Sequence, residues 1–141
     1  MAEHRLLIVE DDISTRDALC GYYTRKGWQV SEAGTVAEGL NLLDAEPEPC
    51  FLILDLMLPD GDGVAVLEGV RQRGLRTLVA VCTGSVDLAR LKAVAELGPD
   101  AMFPKPIRMP NAWTDTCRVC EARSSAGAID GREVRSAGGN D

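Results

Sequence analysis

The sequence has no apolar run approaching the roughly 20 residues that a membrane-spanning helix requires. It also lacks an excess of basic residues, because 15 Lys and Arg stand against 22 Asp and Glu, for a formal net charge of -7. Such a charge disfavours binding to DNA, RNA or an anionic membrane surface. No signal-peptide pattern is present, since MAEHRLLIVEDD passes from one short apolar run straight into acidic residues. We therefore expect a cytoplasmic protein that binds neither nucleic acid nor membrane.

Histidine is almost absent, and the cysteines do not form a metal-binding pattern. Five cysteines is an odd number, and without an export signal it favours free thiols. Cys117 and Cys120 form a single C-x-x-C, which is typical of a redox pair or half of a zinc site. A zinc site needs four ligands, however, and the only histidine, His4, lies at the far end of the chain. We therefore interpret this pair as two small residues on a helix.

A chain of 141 residues with 45% hydrophobic residues is long enough for one domain with a core of its own. Its apolar residues are concentrated in short runs that predict β-strands. The first, third and fourth are continuously apolar, as expected for strands of a parallel sheet that is covered on both faces. In chain order these runs are Leu6–Val9, Trp28–Val30, Phe51–Leu54, Leu78–Cys82 and Ala101–Phe103.

Helix signals follow each of these runs. Ser14 and Ser85 are suitable N-caps for the first and fourth helices, and Thr35 with Glu38 forms a capping box for the second. A third helix is expected after Asp62-Gly63, and Pro110 begins a fifth. Strands and helices that alternate five times predict a doubly wound parallel α/β sheet. We expect residues 1–123 to form this domain and the Gly- and Ser-rich residues 124–141 to form a flexible tail.

Chemically active side chains follow the strands at the edge where ligands bind in open α/β sheets. The strand ends carry Glu10-Asp11-Asp12, Asp55, Thr83-Gly84-Ser85 and Lys105-Pro106. Two carboxylates about 4 Å apart repel by about 4 kcal/mol at an effective dielectric constant of 20. A Mg²⁺ ion would remove this cost, with Asp11 and Asp55 as direct ligands and Glu10 acting through water. Alternatively, the first three acids spread into solvent at a helix start, where the helix dipole favours them.

Asp55 distinguishes between these interpretations, because it ends a fully apolar run where a charge is costly unless it is used. A carboxylate beside a cation can attack phosphorus and form an acyl phosphate. Phosphoryl transfer needs in-line positioning and neutralisation of the phosphoryl oxygens. Lys105 and the Thr83 hydroxyl are suitable partners for two of those oxygens.

The segments LLIVEDD, FLILDLMLPDGDG, VAVCTGS and FPKP together resemble the receiver domain of two-component response regulators, over roughly residues 5–122. The resemblance implies a flavodoxin-like, doubly wound five-stranded parallel sheet, in strand order 2-1-3-4-5, with five helices. It also implies a cis peptide bond between Lys105 and Pro106. The implied site residues are the acidic pair Glu10 and Asp11, the phosphoacceptor Asp55, the metal-binding backbone carbonyl of Met57, the switch hydroxyl of Thr83 and the phosphate-binding Lys105.

The same resemblance implies a signalling protein that is not an enzyme toward external substrates. Its phosphoryl group would come from a sensor histidine kinase or a histidine phosphotransfer protein. We expect no DNA-binding output domain, so that the signal leaves by contact of a downstream protein with the fourth helix, fifth strand and fifth helix, around residues 88–112. The sequence departs from the family at Met102, where an aromatic residue is usual. Phe103 points to the opposite face of its strand and is expected in the core.

Three other functions remain open on the sequence. A receiver-like domain whose site has decayed could bind partners independently of phosphorylation. A phosphatase with an aspartate nucleophile usually carries a second acid two residues later, where this chain has Met57. A flavin-binding flavodoxin needs a longer phosphate-binding loop than Thr83-Gly84-Ser85 provides.

Overall fold

The computed structural model describes residues 4–45, 47–84 and 87–105 of the chain. Five parallel strands form one sheet in the order β2-β1-β3-β4-β5, as predicted. The bounds of these strands are β1 Arg5–Val9, β2 Gln29–Ala33, β3 Phe51–Asp55, β4 Leu78–Thr83 and β5 Ala101–Pro104. Two further pairs of residues, Met57–Leu58 and Gly61–Asp62, form a short antiparallel hairpin after β3.

Four helices connect the strands within the described residues. They are α1 Ile13–Arg25, α2 Val36–Ala45, α3 Val64–Gln72 and α4 Leu88–Glu96. None of them is both long enough and apolar enough to span a membrane. The predicted fifth helix from Pro110, the Cys117–Cys120 pair, Pro106 and the predicted tail lie outside the described residues.

Two predicted helix caps were wrong, and the predicted β2 was too short. Asp12, not Ser14, caps α1, because its carboxylate accepts hydrogen bonds from the backbone N–H and hydroxyl of Thr15 at 2.8 and 2.6 Å. Asp87, rather than Ser85, caps α4 through the N–H groups of residues 89 and 90. β2 continues to Ala33 although its polar residues interrupt the apolar run, since all five residues pair with β1. The length of β2 is thus set by its pairing with β1 rather than by the weak apolar pattern of its own residues.

The core lies on both faces of the sheet, as expected for a parallel sheet covered by helices. Every residue of β3 and β4 is buried. On the face covered by α2, α3 and α4, alternate strand residues such as Leu52, Leu54, Val79 and Val81 form one cluster with helix residues. Cys20, Cys50 and Cys82 are free thiols, as predicted for those three cysteines.

An ion pair on the surface joins α2 to α3. The guanidinium of Arg73 donates two hydrogen bonds to the carboxylate of Asp44, at 2.7 and 3.1 Å. The pKa of Asp44 is lowered chiefly by these hydrogen bonds. Both groups are exposed to solvent, so the contribution of the pair to stability is small.

This ion pair predicts a pH-dependent difference between the wild-type protein and Asp44→Asn. A carboxylate whose pKa is lowered by folding stabilises the protein above its unfolded pKa, which is about 3.9 for aspartate. That contribution disappears as the pH falls through the lowered folded value. We therefore expect a small stability advantage of the wild type at pH 6 that vanishes toward pH 2, measured by urea unfolding across the series. An advantage that grew on acidification would contradict the assignment.

Candidate functional site

The strand register brings two acidic residues together at the carboxyl edge of the sheet. Val9, the last residue of β1, lies opposite Leu54 in β3, so Glu10 and Asp55 follow at the same level on neighbouring strands. Both side chains are buried, with only 2% of Glu10 and 5% of Asp55 exposed. The exposed Asp11 lies beside them, and one carboxylate oxygen from each of the three residues lies within 4.8 Å of the other two. The predicted acidic group is therefore present.

Lys105 brings a positive charge to this acidic group. Its ammonium nitrogen lies 2.9 Å from Oε1 of Glu10 and 3.2 Å from Oδ2 of Asp55. Its backbone N–H donates to the carbonyl of Thr83 at 3.0 Å, which joins the end of β5 to the end of β4. Lys105 thus contacts two of the three carboxylates directly.

Burial and ion pairing act in opposite directions on the charged groups here. Burial raises the pKa of Glu10, although the hydrogen bonds from Lys105 and the backbone of Asp12 act in the other direction. Burial lowers the pKa of Lys105, but the hydrogen bond to Glu10 and the charges of Asp55 and Glu10 outweigh it, and the net pKa is raised. Lys105 is therefore charged at neutral pH.

The composition of the group fits a hard divalent cation. Three carboxyl groups lie together here with a single ammonium group among them. The three acids offer oxygen donors only, which suit Mg²⁺ rather than a softer metal. Asp11 is exposed, so the group is open to water on one side.

Removal of the ammonium tests how much it stabilises the buried acids. We expect Lys105→Met to lower the free energy of unfolding by about 2 kcal/mol without divalent cations, because buried carboxylates would lose their cation. Chemical denaturation in the presence of a chelator measures this. Lys92→Met is the matched control, since Lys92 is exposed on α4. Equal stabilities of the two variants would show that Lys105 does not compensate the acidic group.

The structure places Thr83 and Met57 beside this group. Thr83 is buried at the end of β4, one residue beyond Cys82, which lies opposite Asp55. The backbone N–H of Met57 donates to Oδ1 of Asp55 at 3.3 Å, while 70% of the Met57 side chain is exposed. Burial raises the pKa of Cys82 to about 12, so this thiol stays protonated and is a poor nucleophile.

Gly63 is the last residue of the segment between Asp55 and α3. Its backbone N–H donates to the carbonyl of Leu56 at 2.7 Å. A Cβ atom at this position would lie 2.1 Å from the carbonyl oxygen of Asp55 and 2.9 Å from the Cα of Leu56. Its φ of -58° is accessible to any residue, so glycine is required here for close approach of the backbone rather than for a left-handed turn.

Arg16 is a residue near the site that sequence reasoning missed. Its Nη1 donates to the carbonyl of Glu10 at 2.9 Å, and its Nε lies 3.4 Å from a carboxylate oxygen of Glu32 in β2. A Cβ on Gly34 would lie 2.8 Å from Nη1, so glycine leaves room for the guanidinium. The backbone N–H of Glu10 donates to the carbonyl of Ala33 at 2.9 Å. These contacts fix the backbone of Glu10 from two sides, and no local pattern in the sequence indicates them.

Two further acids hold the segment after Asp55. Asp62 precedes Gly63, the N-cap of α3, and accepts hydrogen bonds from the backbone N–H of Val64 at 2.9 Å and from Arg90 in α4 at 2.7 Å. Asp60 accepts instead from the backbone N–H groups of Val36 and Ala37, at 2.8 and 3.0 Å. Asp60 therefore caps α2, a helix more than 20 residues earlier in the chain.

Met102 and Phe103 point to opposite faces of β5. Met102 lies opposite Val81 and packs against the core cluster beneath α2, α3 and α4. Phe103 lies opposite Cys82, on the other face. Both are half-buried, so the predicted core position of Phe103 is only partly realised within the described residues.

Comparison with known proteins assigns the family. The family described as "Response regulator receiver domain" matches residues 6–114 of the chain. The chain belongs to this family. Receiver domains are signalling domains of two-component systems. The family match confirms the resemblance that the sequence motifs indicated.

Individual relatives agree with this assignment. The receiver matches the photosynthetic apparatus regulatory protein RegA of Cereibacter sphaeroides with 32% identity, over 74% of this chain and 56% of RegA. It matches the acid tolerance regulatory protein ActR of Rhizobium meliloti with 35% identity, over 72% of this chain and 52% of ActR. The chain thus spans about half the length of these curated relatives. Among solved structures, the receiver domain of a LuxO repressor protein from Vibrio parahaemolyticus superposes with a TM-score of 0.80 and 26% identity, over 92% of this chain and 99% of that one.

Proposed function

We propose that this receiver domain accepts a phosphoryl group on Asp55. The observation that carries the proposal is the contact of the Lys105 ammonium with both Asp55 and Glu10, at 3.2 and 2.9 Å, beside the exposed Asp11. A nucleophilic carboxylate, a cation for a phosphoryl oxygen and an oxygen-donor group for a metal thus share one edge of the sheet. In this proposal Glu10, Asp11, Asp55 and the Met57 carbonyl hold Mg²⁺, and Thr83 binds a phosphoryl oxygen.

The reaction requires little of the protein beyond positioning and charge. A carboxylate oxygen of Asp55 forms a bond to phosphorus as the bond from phosphorus to the donor's imidazole nitrogen, or to the acetate oxygen of acetyl phosphate, breaks. The departing group keeps that electron pair, and the product is an aspartyl phosphate. Lys105 and the Thr83 hydroxyl bind phosphoryl oxygens whose negative charge would otherwise repel Asp55. Bound Mg²⁺ supplies further neutralisation of these oxygens.

The partners follow from this chemistry. The donor is a sensor histidine kinase or a histidine phosphotransfer protein, because a phosphohistidine can present its phosphorus to the open side of the site. We propose that the phosphorylated domain signals by contact with a downstream protein, through the face that contains α4 and β5. The predicted contribution of the fifth helix to that face lies outside the described residues. The domain catalyses its own phosphorylation and dephosphorylation only, since Met57 stands where a phosphatase would carry its general acid.

Incubation of the purified chain with acetyl phosphate and Mg²⁺ tests this function. We expect an increase in intact mass equal to one phosphoryl group, with no increase when a chelator removes Mg²⁺. Hydroxylamine should replace the phosphoryl group by the lighter hydroxamate, because it attacks the acyl carbon of acyl phosphates with release of phosphate and leaves phosphate esters intact. Absence of the mass increase with acetyl phosphate, phosphoramidate and a phosphorylated kinase alike would overturn the proposal. It would favour an interaction domain that works independently of phosphorylation.

A further inference from the structure

The segment from Leu56 to Gly63 carries the Met57 carbonyl and has few contacts of its own. Residues 57 and 59–62 are exposed, and Leu58 is the buried side chain between them. The hairpin joins only Met57 with Asp62 and Leu58 with Gly61. A hairpin of this size is not stable by itself in water. Its position therefore depends on contacts with the rest of the domain.

Asp60 makes such a contact with α2. Its two carboxylate oxygens accept hydrogen bonds from the adjacent backbone N–H groups of Val36 and Ala37, at 2.8 and 3.0 Å. The N-terminus of a helix carries unpaired N–H groups and a partial positive charge, both of which favour a carboxylate. These two charge-assisted hydrogen bonds link the segment to α2, which packs against β1 and β2.

We propose that Asp60 is a positioning residue for the metal site, which fixes the Met57 carbonyl by docking segment 56–63 onto the N-terminus of α2. This inference rests on the proposed function, because it takes the Met57 carbonyl as a ligand of the metal. The segment is fixed at Gly63 by close backbone contact with Asp55 and at Asp62 by bonds to α3 and α4. Leu56 and Leu58 pack in the core cluster, and the N–H of Met57 donates to Asp55. Asp60 adds an attachment at the exposed turn of the hairpin, which these contacts do not reach.

A helix-capping role alone does not account for this arrangement. The helix α2 already has a cap next to it in sequence, since the Thr35 hydroxyl accepts from the N–H of Glu38 at 3.0 Å. The side chain of Glu38 in turn accepts from the N–H of Gly34 at 2.7 Å. Thr35 and Asp60 therefore stabilise the same helix end, but only Asp60 connects it to the metal-site segment. This difference provides a matched pair of variants.

The experiment compares Asp60→Ala, Asp60→Asn and Thr35→Ala with the wild-type chain. Isothermal titration with Mg²⁺, in the absence of any phosphodonor, gives the dissociation constant of each protein. We expect Asp60→Ala to raise it about fivefold, less than the roughly tenfold or larger effects of residues that hydrogen-bond to a metal ligand directly, because Asp60 acts through the segment. Asp60→Asn should raise it about twofold, because one amide oxygen can still accept a hydrogen bond. Thr35→Ala should change it less than twofold although it also weakens α2.

Amide hydrogen exchange of the metal-free proteins gives an independent readout. Protection at residues 57–63 should fall in Asp60→Ala and stay at the wild-type level in Thr35→Ala. An unchanged Mg²⁺ dissociation constant in Asp60→Ala would overturn the inference, and so would an equal increase in Thr35→Ala, which would show a general effect of weakening α2. Failure of the wild-type chain to bind Mg²⁺ would instead refute the proposed function itself.

Discussion

Asn in place of Asp55 is expected to abolish phosphorylation of the chain. Asparagine has nearly the same shape as aspartate, but its neutral amide is not a nucleophile toward phosphorus. Substitution of a nucleophile lowers reaction rates by at least about 10³-fold, which would place labelling below detection. Lys105 would keep Glu10 as a partner at 2.9 Å, so the local structure should persist. Intact mass after incubation with acetyl phosphate and Mg²⁺ measures the loss.

The control for this variant is Asp44→Asn, the same change at an exposed aspartate in α2. It should be phosphorylated to the wild-type extent. A phosphoryl group on Asp55→Asn that is sensitive to hydroxylamine would show that another carboxylate is the acceptor, with Asp11 the nearest exposed one. That result would refute the assignment of Asp55 and leave the family membership untouched.

The largest effect on stability is expected from Gly63→Ala. A Cβ atom at this position would lie 2.1 Å from the backbone oxygen of Asp55, and backbone atoms of a buried strand cannot move aside as a flexible side chain can. We expect the free energy of unfolding to fall by about 3 kcal/mol, the upper range for overpacking of a close-packed site. Urea unfolding of the metal-free protein, with the slope checked for two-state behaviour, measures the change.

Gly84→Ala is the matched control for this substitution. A Cβ atom on Gly84 would lie 3.9 Å from the Cβ of Lys105, an ordinary van der Waals contact. The change should therefore alter stability by less than about 0.5 kcal/mol. If Gly63→Ala were as stable as Gly84→Ala, segment 56–63 could shift without cost. The close approach to Asp55 would then not be a constraint of the fold.

The sheet and the position of the site were predictable because both depend on short-range patterns. Continuous apolar runs predicted β1, β3 and β4. The polar residue that follows each run lies at the carboxyl edge of the sheet. Parallel strands place their carboxyl ends at one edge, so Glu10 and Asp55 had to be neighbours once β1 and β3 paired. The catalytic and metal-binding roles of these residues stay predictions until phosphorylation is measured.

The helix ends were harder to predict, because several polar residues compete for each cap. Ser14 is a good cap by residue type, but the chain turns two residues earlier and Asp12 takes that role. Asp60 lies in the segment that precedes α3, whereas the helix that it caps is α2. A cap supplied by a distant residue leaves no periodic or local pattern. It can be recognised only when two loops are placed side by side.

By itself, the order of apolar runs and polar strand ends determined the fold class and gathered the acids and the lysine at one edge of the sheet. The tertiary structure alone decided which contacts hold those groups in place, including the Arg16 bond to Glu10, the close approach of Gly63 and the attachment of Asp60 to α2. The physical reason is the difference in sequence separation between the interacting residues. Periodicity acts over neighbouring residues, whereas these contacts join segments that are remote in sequence and meet only after the strands have paired.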